Sequence, residues 1–134
     1  MYMLTQKQME LNNPSKVETY KNINPMPQKM ILGYAVTQVD SPLMQQLSPD
    51  KEQLERFSPC KHMSNNLPKT YAWACEDDSL VPYENTLKWG EAMKEAGLDC
   101  RCRIFPTGGH GIAAGYGTSA EGWLNDMFEY FSSF

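Results

Sequence analysis

Three short apolar runs dominate the hydrophobic pattern of this chain. They are KMILGYAV over 29–36, TYAWAC over 70–75 and CRCRIF over 100–105. The first two are continuously apolar, which is typical of strands buried on both faces. The third run alternates cysteine and isoleucine with arginine, which predicts one wetter face and a position near the edge of a sheet.

Three helices are predicted between and after these strands. The segment 48–57 opens with SPD, in which Ser48 suits an N-cap and is followed by proline at the first helical position and aspartate in the first turn. A second helix is predicted over 82–98, with Gly97 as its stop. A last helix is predicted from about 120 to 131 because its apolar residues recur at helical spacing. Its apolar stripe consists of Leu124, Met127, Phe128 and Phe131.

The alternation of strands and helices predicts the fold class. Three strands joined by helical crossovers imply parallel strands in a three-layer α/β arrangement over 29–134. Residues 1–28 read as a polar N-terminal segment, helical at most in the first dozen residues and otherwise loop. In such sheets chemistry collects at the carboxyl ends of the strands. The loops EDDSLVP and TGGHG begin there, so we expect them on one side of the sheet.

Composition and charge narrow the class of protein. A chain of 134 residues with 41% hydrophobic and 21% charged residues has the composition of one soluble globular domain. Its net charge of −4 and scattered basic residues argue against a nucleic-acid partner. The N-terminus has no signal-peptide pattern, and the longest apolar stretch is too short for a membrane span. We therefore expect a cytoplasmic protein.

Four cysteines raise the questions of disulfides and metal. Cys75, Cys100 and Cys102 lie in strand-like runs, where thiols are good core residues, so buried thiols are the main expectation. A zinc site would need Cys60 and His62 together with Cys100 and Cys102. The spacings CKH and CRC are tighter than zinc-ligand pairs usually have, so no metal is expected at these residues.

The polar loops after the second and third strands contain the candidate chemistry. A carboxylate after one strand and His110 after the next suit nucleophilic acyl transfer, in which the carboxylate orients an imidazole that takes a proton from serine. The alternative is a purely structural role, in which the acidic loop is a polar turn that caps the 82–98 helix and His110 is an ordinary turn histidine.

Four motifs in order resemble the α/β-hydrolases, specifically small esterases and lipases related to acetylxylan and feruloyl esterases. The motifs are ILGYAV, SPDKEQLERFSPCKHM, CEDDSLVPYEN and RIFPTGGHG, and the resemblance as a whole covers roughly residues 29–131. The resemblance implies that Asp78, four residues before Pro82, is the triad acid and that His110 is the base. The family's G-x-S-x-G elbow and HGGG loop are absent, and residues 1–28 hold one serine, Ser15, without a flanking glycine. The chain therefore looks like the C-terminal half of such an enzyme.

Replacement nucleophiles and other conspicuous residues have structural interpretations. Ser119 in GTSAEG misses the elbow pattern, and Thr118 with Glu121 predicts a capping box for the last helix. Cys75 lies in a strand interior. His62 is interpreted as a structural or packing residue, and Asn85 as a surface or cap residue. The three tryptophans are interpreted as packing residues: Trp73, Trp89 and Trp123.

The resemblance implies a carboxylic-ester hydrolase, with carbohydrate esters as one candidate substrate class, in which a serine outside this chain works with Asp78 and His110. It implies no metal and no organic cofactor. The alternative is an inactive interaction module, or one half of a two-chain enzyme. In each case the first strand would leave a sheet edge uncovered, and a long apolar edge favours association. We therefore expect a homo-oligomer or a complementary N-terminal half at that edge, and an ester as substrate if the enzyme is complete.

Overall fold

The computed structural model describes residues 26–39, 46 and 50–133. The strands are β1 (Lys29–Gly33), β2 (Lys69–Cys75) and β3 (Cys100–Phe105). The helices are α1 (Lys51–Arg56), α2 (Glu84–Glu95) and α3 (Trp123–Ser132), with a 3₁₀ turn at Pro59–Lys61. All strand pairs are parallel and the sheet order is β1-β2-β3. The predicted α/β class is confirmed, and β3 lies at an edge of the described sheet, as expected.

Strand β2 is the centre of the described sheet and divides its two cores. Its odd-numbered side chains face α3, and its even-numbered ones face α2. The core on the α3 side contains Tyr71, Trp73, Cys75, Ala120, Met127, Tyr130 and Phe131. The core on the α2 side contains Met30, Ala72, Trp89 and Met93. Helices on both faces of the sheet make the three layers that the sequence predicted.

The three tryptophans pack as predicted. Trp73 and Trp89 are buried in opposite cores. Trp123 stacks on Trp73 with ring centroids 4.7 Å apart. Such aromatic pairs stabilise a core beyond the area they bury.

The prediction that the first strand is buried on both faces is wrong. Met30 is buried, but Ile31 is 48% exposed, because no described element covers the Ile31 side chain on its face of the sheet. The strand also ends earlier than the apolar run does. Its last residue is Gly33, since Tyr34 adopts a left-handed backbone conformation with φ of +39°.

The helix boundaries differ from prediction at the N-termini. Helix α1 begins at Lys51, and the Asp50 carboxylate accepts a hydrogen bond from the Glu52 amide at 3.0 Å. Asp50 therefore acts as a cap rather than as a first-turn residue. The predicted cap Ser48 lies outside the described residues, as does the possible helix in the first dozen residues. Helix α2 ends as predicted, with Gly97 at φ of +70° just after it.

Helix α3 begins at Trp123 rather than near residue 120, after Gly122. The predicted capping box does not cap it, because the Glu121 side chain accepts from the Gly117 amide in the preceding turn. The predicted apolar stripe is also wrong at one position. Phe128 is 62% exposed, whereas Tyr130 is buried against the sheet.

A charged cluster joins β3 to α3. Asp126 accepts hydrogen bonds from Arg101 (2.9 Å), Arg103 (2.7 and 3.0 Å) and the Tyr71 hydroxyl (2.8 Å). The bond from Arg103 and, after it, the bond from Tyr71 outweigh partial burial and hold the pKa of Asp126 well below its ordinary value. The wetter face predicted for the third strand is therefore the face that meets α3. No helix in the described part of the chain is long and apolar enough to cross a membrane.

Candidate active site

The two polar loops start side by side at the carboxyl end of the sheet. Strands β2 and β3 remain hydrogen-bonded to their last residues, and beyond them the Glu76 amide donates to the Phe105 carbonyl at 2.8 Å. The Asp77–Asp78 pair follows β2, and the TGGHG loop follows β3. Adjacent parallel strands thus bring the acidic loop and the histidine loop together, as the sequence predicted.

Asp78 and His110 form a direct hydrogen bond. The His110 Nδ1 atom lies 2.8 Å from Asp78 Oδ2. The other carboxylate oxygen, Oδ1, accepts from the amides of Leu80 and Val81, both at 2.9 Å. The Asp78 side chain is fully buried, whereas that of His110 is 33% exposed. The carboxylate is therefore fixed on both oxygens while the imidazole reaches the surface.

The environment of Asp78 favours its ionised form. Burial raises the pKa of this carboxyl, but hydrogen bonds from the Val81 amide, His110 and the Leu80 amide outweigh burial and leave the pKa below its ordinary value. An ionised Asp78 accepts a hydrogen bond from the protonated Nδ1 of the imidazole, so Nε2 is the nitrogen left to act as a base.

Tyr34 contacts the imidazole from the end of β1. The Tyr34 and His110 rings are 4.7 Å apart, and Tyr34 also meets Trp73 edge-on at 4.9 Å. Its positive φ places it there, and its amide donates to the Trp73 carbonyl at 2.8 Å. Sequence reasoning missed this contact because the residue falls inside the apolar run read as strand. Backbone strain in a bulky residue is a feature that often accompanies functional sites.

Asp77 and Gly108 shape the histidine loop. The two oxygens of Asp77 accept from the amides of Gly109 at 2.7 Å and Gly108 at 3.1 Å. Gly108 itself packs closely on the sheet, since a Cβ there would lie 2.7 Å from the Cys75 sulfur. In the sequence Asp77 is one residue of the polar EDDSLVP loop, and nothing in the local pattern indicates its contact across the two loops.

The replacement nucleophiles are poorly placed. The Ser119 hydroxyl donates to the Thr107 carbonyl at 2.6 Å and accepts from the Thr107 amide at 2.8 Å. Cys75 is fully buried, and burial, followed by the charges of Asp77 and Asp78, raises the pKa of its thiol. Within the described residues, no serine or threonine hydroxyl hydrogen-bonds to His110.

The remaining conspicuous residues take structural positions. His62 is exposed, and its Nε2 lies 3.0 Å from the Glu55 carbonyl. Asn85 is buried rather than on the surface, and its side-chain oxygen accepts from the amides of Thr37 at 3.1 Å and Gln38 at 3.0 Å. It therefore ties the segment after β1 to the start of α2.

All four cysteines are thiols: Cys75 is buried and the other three are half-buried. No group of three or more histidine, cysteine or acidic residues in the described ranges is arranged to hold a metal ion.

An apolar groove of about 320 Å³ lies beside β1 on the α2 side of the sheet. Its lining includes Met30, Leu32, Val36, Leu67 and Trp89. The indole nitrogen of Trp89 is buried without an acceptor among the described residues. Together with exposed Ile31 on the opposite face, the groove leaves both sides of β1 incompletely covered.

A parallel sheet covered on both faces, with a carboxylate and a histidine paired at its carboxyl edge in the order aspartate then histidine, defines the class of α/β-hydrolases. Comparison with known sequences makes the assignment narrower. The sequence profile of the Prolyl oligopeptidase family matches residues 32–134, and the chain belongs to that family.

Individual relatives are esterases and xylan-active enzymes. The chain is 32% identical over 119 residues to endo-1,4-beta-xylanase B of Butyrivibrio fibrisolvens, a match that covers 84% of this chain and 18% of the relative. Among solved structures it is similar to an acetyl ester-xyloside bifunctional hydrolase from Caldicellulosiruptor lactoaceticus, with 27% identity, a TM-score of 0.73 and coverage of 85% of this chain and 47% of that one.

The carboxylesterase Cest-2923 from Lactobacillus plantarum WCFS1 has the same fold, with 16% identity and a TM-score of 0.65 over 94% of this chain and 52% of that one. The chain therefore spans about half the length of these solved relatives and less than a fifth of the xylanase. The resemblance to carbohydrate esterases of the α/β-hydrolase superfamily, drawn from four short motifs, is confirmed.

Proposed function

We propose that this chain supplies the acid and the base of a serine carboxylic-ester hydrolase. The observation that carries the proposal is the hydrogen bond of 2.8 Å between Asp78 and His110 Nδ1, at the carboxyl end of two adjacent parallel strands. In this proposal Asp78 stays ionised and holds the imidazole in one tautomer, and His110 acts through Nε2.

The chemistry is acyl transfer in two steps. His110 Nε2 takes the proton of a serine hydroxyl as the serine oxygen attacks the ester carbonyl, and it returns that proton to the departing alcohol. In the second step His110 takes a proton from water as the water oxygen attacks the acyl-serine, and it gives that proton to the serine oxygen as the acid is released. Asp78 stabilises the imidazolium in both steps. The lowered pKa of Asp78 supports this role, because the group stays charged near neutral pH.

We place the serine on a part of the fold that the described residues do not include. Two observations support this placement. No serine or threonine hydroxyl in the described residues hydrogen-bonds to His110, and the solved relatives are about twice as long as the segment matched here. The uncovered edge of β1 is where further strands of a parallel sheet would add.

We further propose that this uncovered edge is the contact with the serine-bearing part. An added strand would pair with the outer side of β1, and its crossover helices would cover Ile31 on one face and the apolar groove on the other. A backbone carbonyl in the groove would also satisfy the Trp89 indole nitrogen.

The proposed substrate class is a small acyl ester of a carbohydrate. This proposal is supported by the similarity of the chain to a xylanase (32% identity) and to an acetyl ester-xyloside hydrolase (27% identity).

A chimera tests this proposal directly. Residues 26–134 would replace the matching segment of the Caldicellulosiruptor hydrolase, with the parent enzyme as positive control and p-nitrophenyl acetate as substrate. We expect esterase activity that is lost in His110→Ala and kept in His62→Ala, the matched control at the only other histidine. A folded chimera without activity, beside an active parent, would contradict the proposal.

An inactive interaction module is the second candidate, and the absence of a serine or threonine hydroxyl bonded to His110 among the described residues favours it. The same chimera separates the two, because a module that has lost its function leaves the fold intact and the ester uncleaved. The family name also suggests peptide bonds as a substrate. A prolyl p-nitroanilide peptide, assayed beside the ester, would reveal peptidase activity.

A further inference from the structure

Asp77 occupies an unusual position beside the acid–base pair. Its side chain is exposed, yet both of its oxygens are engaged by the two backbone amides that immediately precede His110, at 2.7 and 3.1 Å. These bonds run between loops that follow two different strands. They therefore fix the backbone of the histidine loop relative to the loop that carries Asp78.

We propose that Asp77 is a positioning residue for the base: it holds the Gly108–Gly109 backbone so that the His110 imidazole stays on Asp78. The inference rests on the proposed function only in naming His110 as the base. The physical need for such a clamp is clear, because glycine-rich backbone loses more conformational freedom on ordering than any other. Asp78 restrains the imidazole ring but makes no bond to the backbone of that loop.

The electrostatics of Asp77 agree with this role. Hydrogen bonds from the amides of Gly109 and Gly108 lower the pKa of the Asp77 carboxyl, so the bonds favour its charged form. Bonds from an amide to a carboxylate are stronger than bonds between neutral groups. Since Asp77 is exposed and buries no apolar surface, its contribution falls on the loop rather than on the core.

The test uses nuclear magnetic resonance of the full chain and needs no ester turnover. The probe is the His110 Nδ1 proton, which is hydrogen-bonded to Asp78 and therefore slow to exchange with water. In Asp77→Ala we expect this proton to exchange at least about fivefold faster, because two charge-assisted bonds to the loop are lost. Asp77→Asn retains one good acceptor and should fall between Asp77→Ala and the unaltered chain.

The matched control is Glu76→Gln, which removes one negative charge from the neighbouring residue, whose side chain is exposed. We expect the Nδ1 proton and the amide resonances of Gly108 and Gly109 to stay unchanged in that variant. A Trp73 indole resonance that is the same in every variant would show that the core is intact.

Three results would overturn the proposal. The first is a Nδ1 proton as protected in Asp77→Ala as in the unaltered chain. The second is an equal effect in Glu76→Gln, which would indicate a general loss of charge. The third is unfolding of both Asp77 variants, which would make the residue a part of the fold rather than of the site. An inert chimera in the esterase assay, by contrast, would leave this proposal untouched.

Discussion

Replacing Asp78 separates the structural from the chemical contribution of the acid. The side chain is fully buried and accepts three hydrogen bonds, from the Leu80 amide, the Val81 amide and His110. Asp78→Ala leaves all three donors without a partner. Asp78→Asn keeps an oxygen for the two amides but presents an NH₂ group to the imidazole, which must then adopt the other tautomer.

The magnitudes follow from counting these bonds. Each lost bond contributes about 1 kcal/mol net, so Asp78→Ala should lower the free energy of unfolding by about 2–3 kcal/mol. Asp78→Asn loses only the charge assistance and one partner, and relief of a buried charge offsets part of that loss, so about 1 kcal/mol is expected. In an active chimera, however, Asp78→Asn should lower kcat by about 10⁴-fold, because the imidazole has the wrong tautomer.

Thermal unfolding near neutral pH measures the structural part, and p-nitrophenyl acetate hydrolysis measures the chemical part. For a domain of this size about 1 kcal/mol corresponds to a Tm shift of roughly 3–5 °C. We expect Asp78→Ala to lower Tm much more than Asp78→Asn does, whereas the two variants should lower kcat to a similar extent.

Equal Tm losses in the alanine and asparagine variants would refute this account of Asp78, since they would show that the charge rather than the hydrogen-bonding oxygen holds the loop. An asparagine variant that keeps most of its esterase activity would refute the assigned role in orienting His110.

The remaining predictions concern the packing around the site. Asp126→Asn should lower the free energy of unfolding by about 1–3 kcal/mol near neutral pH. Because the pKa of the Asp126 carboxyl is depressed in the folded state, its contribution to stability is present above the ordinary carboxyl pKa of about 4 and is lost as pH falls. A Tm difference between the unaltered chain and Asp126→Asn that is the same at neutral and acidic pH would contradict this. Gly108→Ala should lower stability by about 1–3 kcal/mol in urea unfolding, since the new Cβ meets the Cys75 sulfur; an unchanged midpoint would contradict the close approach. Ile31→Lys should reduce self-association in light scattering more than Leu80→Lys does, because only the first lies on the sheet edge.

The central part of the fold was predictable because its signals are local. The run TYAWAC is continuously apolar and becomes β2, which is covered on both faces. The run KMILGYAV carries the same signal, but it forms an edge strand with Ile31 exposed. A hydrophobic pattern predicts that a strand is buried, but it does not say whether the residues that cover the strand lie among those described here. The apolar run therefore predicts more burial for β1 than the described residues provide.

The pairing at the site was predictable for the opposite reason, since it depends on topology. Parallel order places the loops after β2 and β3 at one edge, and the resemblance then selected Asp78 rather than its neighbour. The clamp from Asp77 and the ring of Tyr34 were not predictable. Both depend on backbone details, namely amide directions in a glycine loop and a positive φ after Gly33, for which the sequence carries no periodic signal.

The acid–base pair and the surroundings of β1 differ in how much their structure depends on additional strands of the sheet. Every hydrogen bond that fixes Asp78 and His110 arises within the two loops after β2 and β3, which lie next to each other in the sheet. Their orientation should therefore persist whether or not further strands are present. The surroundings of β1 are different, because Ile31 and the groove at Trp89 have no cover among the described residues. In the active chimera, hydrogen exchange should slow in β1 relative to the isolated chain and stay the same at Leu80 and Val81. Slower exchange at those two amides would show that the acid–base pair also depends on the rest of the sheet.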